Sequence, residues 1–118
     1  MNKQEAINYC LSFPRVTTDF PFDQTTQVFR IGNKIFSITD LNDEDVGSMN
    51  LKCEPERSVQ LRERYESVKT GYHMNKKHWI TVFIDLIDEK TLKELIYNSY
   101  ILVKNSLPKS FHQPNEND

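Results

Sequence analysis

No stretch of this chain approaches the roughly 18 consecutive apolar residues of a membrane-spanning helix. The opening Met1-Asn2-Lys3-Gln4-Glu5 also lacks the apolar segment of a secretion signal. The two cysteines, Cys10 and Cys53, stand apart with no C-x-x-C pair. They are expected as buried, reduced thiols in a cytoplasmic protein rather than as a disulfide. No Gly-rich phosphate loop, G-x-S-x-G elbow or H-E-x-x-H helix occurs, and no cysteine spacing fits a zinc site. Neither cofactor nor metal is expected, and a catalytic role is disfavoured. An excess of basic charge is missing too: the formal net charge is −2. As a whole the chain does not carry the electrostatic mark of a nucleic-acid binder.

The distribution of charge is more informative than its sum. Residues 51–80 hold seven Lys or Arg against four Asp or Glu, whereas residues 1–50 hold four against seven and residues 81–118 four against six. The basic third ends in Gly71-Tyr72-His73-Met74-Asn75-Lys76-Lys77-His78-Trp79, which groups two aromatics, two histidines, two lysines and an amide. A segment this rich in polar and aromatic groups is a candidate contact surface.

At 118 residues the chain fits one domain, with residues 1–108 as the folded unit and 109–118 as a disordered tail. Asn2 and Glu5 form a capping-box pattern, and Ile7, Cys10 and Leu11 share a helix face that ends before Pro14. Gln27–Ile31 and Lys34–Thr39 flank Gly32-Asn33, a two-residue hairpin signal. Asp40 to Asp45 reads as a solvated acidic loop rather than a cation site. Ser48–Cys53 alternates as a strand with Met49, Leu51 and Cys53 on one face. Pro55 opens a helix running to about Tyr65, with Val59, Leu61 and Tyr65 as its buried contacts. Trp79–Ile84 predicts a central strand, apolar on both faces, with Trp79 in the core. Asp88 caps a last helix whose stripe is Leu92, Leu95, Ile96, Ser99, Leu102 and Val103. The order α-β-β-β-α-β-α implies an α+β fold, an antiparallel sheet with helices packed against it.

Several of these stretches carry a resemblance. Thr18-Asp19-Phe20-Pro21-Phe22, the Val28–Phe36 hairpin, Asn50-Leu51-Lys52-Cys53 with Pro55-Glu56, the nonapeptide 71–79, and Leu95-Ile96-x-x-Ser99-Tyr100-x-x-Val103 together resemble the MmcQ/YjbR family. The likeness runs from about residue 3 to residue 109. It implies a YjbR/CyaY-like fold and a comparison with the double-wing DNA-binding module of a phage transcription factor.

Two functions fit the basic third. In the first, a non-enzymatic monomer binds nucleic acid, DNA more than RNA. Lys52, Arg57, Arg62, Arg64, Lys76 and Lys77 would meet phosphates, with His73 beside them. Asn75 would reach a base edge, and Tyr72 and Trp79 would stack on unpaired bases or wedge a groove. In the second, Tyr72, His73, Asn75 and Trp79 line a small-ligand or catalytic pocket, with His73 or His78 as base and Asp19 or Asp85 as its orienting carboxylate. Phe20 and Phe22 either add to such a groove or pack inward from an edge strand that Pro21 blunts.

Overall fold

A computed structural model describes residues 1–42, 47–71 and 74–112. Local sequence chemistry accounts for each helix. Helix α1 (Lys3–Leu11) starts at Asn2, whose side chain accepts from the Glu5 amide at 2.8 Å while Glu5 accepts in return from the Asn2 amide at 2.8 Å. Two of the four orphan N–H groups at this helix start gain a partner in this way. Helix α2 (Pro55–Arg64) has proline in its first turn and ends at Tyr65. Helix α3 (Glu89–Asn105) is capped by Asp88, whose carboxylate accepts from the Thr91 amide and hydroxyl.

Six strands make one antiparallel sheet in the order β1-β2-β3-β4-β6-β5. They are β1 (Val16–Asp19), β2 (Thr26–Ile31), β3 (Lys34–Asp40), β4 (Ser48–Lys52), β5 (Val68–Thr70) and β6 (Trp79–Phe83). The β2–β3 hairpin turns at Gly32-Asn33, where Gly32 has φ of 65°. The expected order thus gains two strands, β1 and β5. Each is short and largely polar, lies at a sheet edge and pairs on one side only, so alternation alone could not reveal it.

A single core joins one face of this sheet to all three helices. Phe29, Phe36, Met49, Leu51, Val68, Ile80 and Val82 meet Ile7 and Cys10 of α1, Leu61 of α2, and Leu92, Ile96, Tyr100 and Val103 of α3. A register shift between Phe29 and Arg30 leaves Phe36 as the extra residue of β3, and both Phe36 and Ser37 are fully buried. Bulges turn successive side chains to one side in this manner. Ser37 lies against Cys10, whose burial pushes its thiol up to about 12.

Ser99, the polar break in the α3 stripe, is also fully buried. Its hydroxyl donates to the Phe36 carbonyl at 2.5 Å and accepts from the Lys52 amide at 2.8 Å. The β3–β4 ladder pairs Ser37 with Leu51 and Ile38 with Asn50, so Phe36 and Lys52 would be the next pair. Ser99 stands between them and satisfies both backbone groups where the strands part.

Several packing expectations are corrected. Val59 is 46% exposed, and Ser58 takes the buried position beside Leu61 on α2. Leu102 is half-buried, with Tyr100 in the core instead; its hydroxyl donates to the Pro14 carbonyl at 2.9 Å. Phe20 and Phe22 do not pack inward: they follow the end of β1 and are 43% and 66% exposed. Their loop is tied by Asp23, which accepts from the Thr25 and Thr26 amides. The expected disorder from residue 109 does not hold for Lys109–His112, which form a 3-10 turn. Phe111 packs against the core and under the Arg15 guanidinium, 4.6 Å from its ring centre. Asp43 to Asp45 of the acidic loop and residues 113–118 lie outside the described residues.

Candidate functional site

The site begins where β4 runs into α2 and β6 leaves the 71–79 segment. Lys52 ends β4 directly opposite Trp79, the first residue of β6. Its Nζ sits 5.7 Å from the centre of the indole ring, within cation–π range. The next pair continues the ladder, because the Cys53 amide donates to the His78 carbonyl at 2.8 Å. That bond places the turn 75–78 beside the start of α2.

Asn75 builds this turn. Its side-chain oxygen accepts from the Lys77 amide at 2.8 Å and the His78 amide at 3.3 Å, while its carbonyl accepts from the Trp79 amide at 3.1 Å. Such a local side-chain bond is the usual reason for asparagine in a tight turn. It commits the Asn75 oxygen, so a bidentate contact to a base edge would have to break the turn. Lys76, Lys77 and His78 are exposed around it, and neither lysine forms an ion pair with a described residue.

Gly71 fixes the other end of the segment. Its amide donates to the Trp79 carbonyl at 2.9 Å. A Cβ there would lie 2.6 Å from Trp79 Cβ, so only glycine permits this approach. Tyr72 and His73 lie outside the described residues. With them goes half of the pocket expected from Tyr72, His73, Asn75 and Trp79.

Trp79 is not a core residue. It is half-buried, and Ile80 and Val82 are the β6 side chains that join the core. The period of two along a strand therefore puts Trp79, Thr81 and Phe83 on the opposite face. A polar Thr81 in the middle of the run was the signal that this second face differs from the core face, although Thr81 itself is buried.

The arginines divide. Arg57 and Arg62 stand close to Cys53: burial raises its thiol pKa, and the two guanidinium charges, Arg57 first, act against that rise. Arg62 Nε also donates to the Ser58 hydroxyl at 3.2 Å. Arg64 stacks on Tyr65 at the far end of the helix, 5.4 Å from the ring centre, about 10 Å along the axis from Arg57. The structure thus brings Lys52 beside Trp79, puts the Asn75–His78 turn next to Cys53, and places Arg57 and Arg62 near that same cysteine, whereas Arg64 stacks on Tyr65. Lys69 escaped the sequence reading because β5 was hidden in a connection; it pairs with Thr81 next to Trp79. Asp19, a candidate partner for histidine, instead binds Arg30 at 2.9 Å.

Comparison with known proteins gives the lineage. The YjbR family model matches residues 11–102. This chain belongs to the YjbR family. Within it, the chain is 40% identical over 114 residues to the uncharacterized protein YbdF of Escherichia coli O157:H7, covering 92% of this chain and 93% of YbdF. It is 26% identical over 110 residues to the uncharacterized protein YjbR of Escherichia coli K12, covering 92% of each. The crystal structure of Deinococcus radiodurans protein DR2400 superposes with a TM-score of 0.86 at 33% identity, covering 98% of this chain and 86% of that one. A Pseudomonas syringae protein structure superposes with a TM-score of 0.75 at 29% identity, covering 87% of this chain and 99% of that one. The YjbR fold is therefore the antiparallel sheet with packed helices described above. No described helix is long and apolar enough to cross a membrane.

Proposed function

We propose that this YjbR-family protein binds nucleic acid, DNA in the first place, and acts by binding rather than by catalysis. The contact surface is the 71–79 segment with Lys52 and the α2 arginines. One observation carries the reading: Lys76 and Lys77 are exposed on a turn fixed by Asn75, beside Lys52 and the start of α2, and neither has an ion-pair partner among the described residues. Surface cations that no carboxylate neutralises are available to phosphates. Arg57 and Arg62 extend the same patch, and Arg64 meets only a longer ligand.

Fluorescence anisotropy with labelled DNA tests this. With about five phosphate contacts, affinity should fall several-hundred-fold between about 50 and 200 mM salt. The double variant Lys76→Glu/Lys77→Glu should bind more weakly, and the log–log salt slope should drop by about one for each lysine lost. Binding at about 50 mM salt no stronger than that of a neutral control protein overturns the proposal.

A further inference from the structure

The helices cover only one face of the sheet. Residues paired across strands point to the same side, so the register defines the other face. Trp79 opposes Lys52, Thr81 opposes Asn50 and Lys69, and Phe83 opposes Ser48. The contacts agree: Lys52 Nζ lies over the Trp79 ring, and the Thr81 hydroxyl donates to Asn50 Oδ1 at 2.5 Å. Trp79, Phe83, Lys52 and Asn50 are half-buried and Lys69 is exposed, and neither aromatic packs against the core cluster. All three helices give their buried apolar side chains to the opposite face, so no described helix covers this one.

We infer that the β4–β6–β5 half of this open face is a platform for single-stranded nucleic acid. Trp79 and Phe83 would stack on unpaired bases, and Lys52 and Lys69 would meet the backbone. The inference rests on the nucleic-acid reading above and specifies the form of the ligand. Three features favour this occupant over a duplex or a protein. Trp79 and Phe83 are four residues apart on one strand, about 13 Å at the rise of an extended chain, a span that an extended strand covers in about two nucleotides. Lysines flank the aromatic strand on both sides, Lys52 opposite Trp79 and Lys69 opposite Thr81, which suits a polyanion with flat apolar bases better than a purely apolar partner. The charge on the face is also polarised. Strands β4, β5 and β6 carry these lysines and no carboxylate; Arg30 already holds Asp19 on β1, and Asp40, which the continued β3–β4 register puts opposite Ser48, lies at the Phe83 end of the face. The exposed Lys76-Lys77 turn leads into Trp79, so the backbone would continue from the platform onto the patch beside α2.

Trp79 is the only tryptophan in the chain, so intrinsic fluorescence reports on the platform directly. Short oligonucleotides of one mixed sequence, as single-stranded DNA, single-stranded RNA and duplex DNA, are titrated at about 50 mM salt. The single strands should bind about tenfold or more tightly than the duplex and should quench Trp79. The preferred sugar then identifies DNA or RNA as the source. Trp79→Ala should weaken single-strand binding about ten- to hundredfold, while Trp79→Phe should retain most of it. Lys69→Glu, an exposed change far from the core, should weaken binding and lower the salt slope whether or not Trp79→Ala folds. Duplex binding equal to or tighter than single-strand binding, with unquenched Trp79, overturns the platform and leaves the binding reading in place. Absence of binding to all three overturns both.

Discussion

Strand β6 borders two environments that differ in what holds them. On one side, Ile80 and Val82 are sealed beneath helices, with Leu51 and Met49 as their cross-strand partners. On the other, Trp79, Thr81 and Phe83 meet Lys52, Asn50 and Ser48, and no described helix lies over them. The covered face gains its stability from apolar area removed from water, which is non-directional and large. The open face is held by cross-strand pairs worth a few tenths of a kcal/mol to about 1 kcal/mol each. One backbone therefore serves a face that stabilises the fold and a face that stability does not fully constrain. The second is where the proposed ligand would be accommodated at little cost.

The largest expected effect tests this division. Leu51→Ala removes a fully buried side chain beneath α3 and should cost about 3 kcal/mol, lowering the melting temperature by roughly 10 °C. Ile38→Ala, half-buried on the open face opposite Asn50, should cost about 1 kcal/mol or less. Urea unfolding of both variants, with m-values unchanged, measures the difference. Equal costs would mean that something packs on the open face as tightly as the helices do on the other.

Much of the covered face was legible in the sequence, and much of the open face was not. Capping patterns located α1 and α3, Pro55 located α2, and Gly32-Asn33 located the hairpin, because each is a local signal of backbone conformation. β1 and β5 carried no such signal, and with β5 unseen Lys69 could not be placed next to Trp79. Trp79 was misassigned because the statistics of large aromatics say buried, while the period of two, read from Ile80 and Val82, says otherwise. Asn75 was visible as a candidate contact residue, but its part in the turn depends on the Lys77 and His78 amides. Membership in the YjbR family was legible from the nonapeptide and its neighbours, since those residues meet several constraints at once: Gly71 for close approach, Asn75 for the turn, Trp79 for the strand start.

Ser99 supplies the intermediate effect. Ser99→Ala leaves the Phe36 carbonyl and the Lys52 amide without their bridge in a buried gap, and should cost about 2 kcal/mol. Hydrogen exchange at the Lys52 amide should accelerate more than the loss of global stability explains, since the gap opens locally. Retained protection and unchanged stability would show instead that β3 and β4 close and pair directly, making the serine dispensable. The position matters to the comparison because Lys52 presents its amide to Ser99 and its ammonium to Trp79. A loosened Lys52 backbone links damage on the covered side to the open face, so Ser99→Ala should also weaken any ligand that depends on Lys52.

The smallest effect is a difference in acid sensitivity between the helix layer and the loop that leads into β2. Asp88 has its carboxyl held below the ordinary value by hydrogen bonds from the Thr91 amide and hydroxyl at the start of α3. A carboxyl depressed in the folded state stabilises the fold above its unfolded pKa of about 4, and that contribution is lost as pH falls through the folded value. Asp23, at the loop before β2, is depressed in the same direction by the Thr26 and Thr25 amides, so the wild type should lose stability from both as pH drops below about 4. Asp88→Asn keeps an acceptor for the Thr91 amide but cannot titrate, so its melting temperature should fall less steeply over that acid range. Asp23→Asn should flatten the profile similarly. Only Asp88→Asn should alter acid-induced loss of helical circular dichroism, because Asp88 caps the helix that seals the covered face. An identical helical signal in the two variants throughout the acid transition would mean that α3 does not separate from the sheet before the whole domain unfolds.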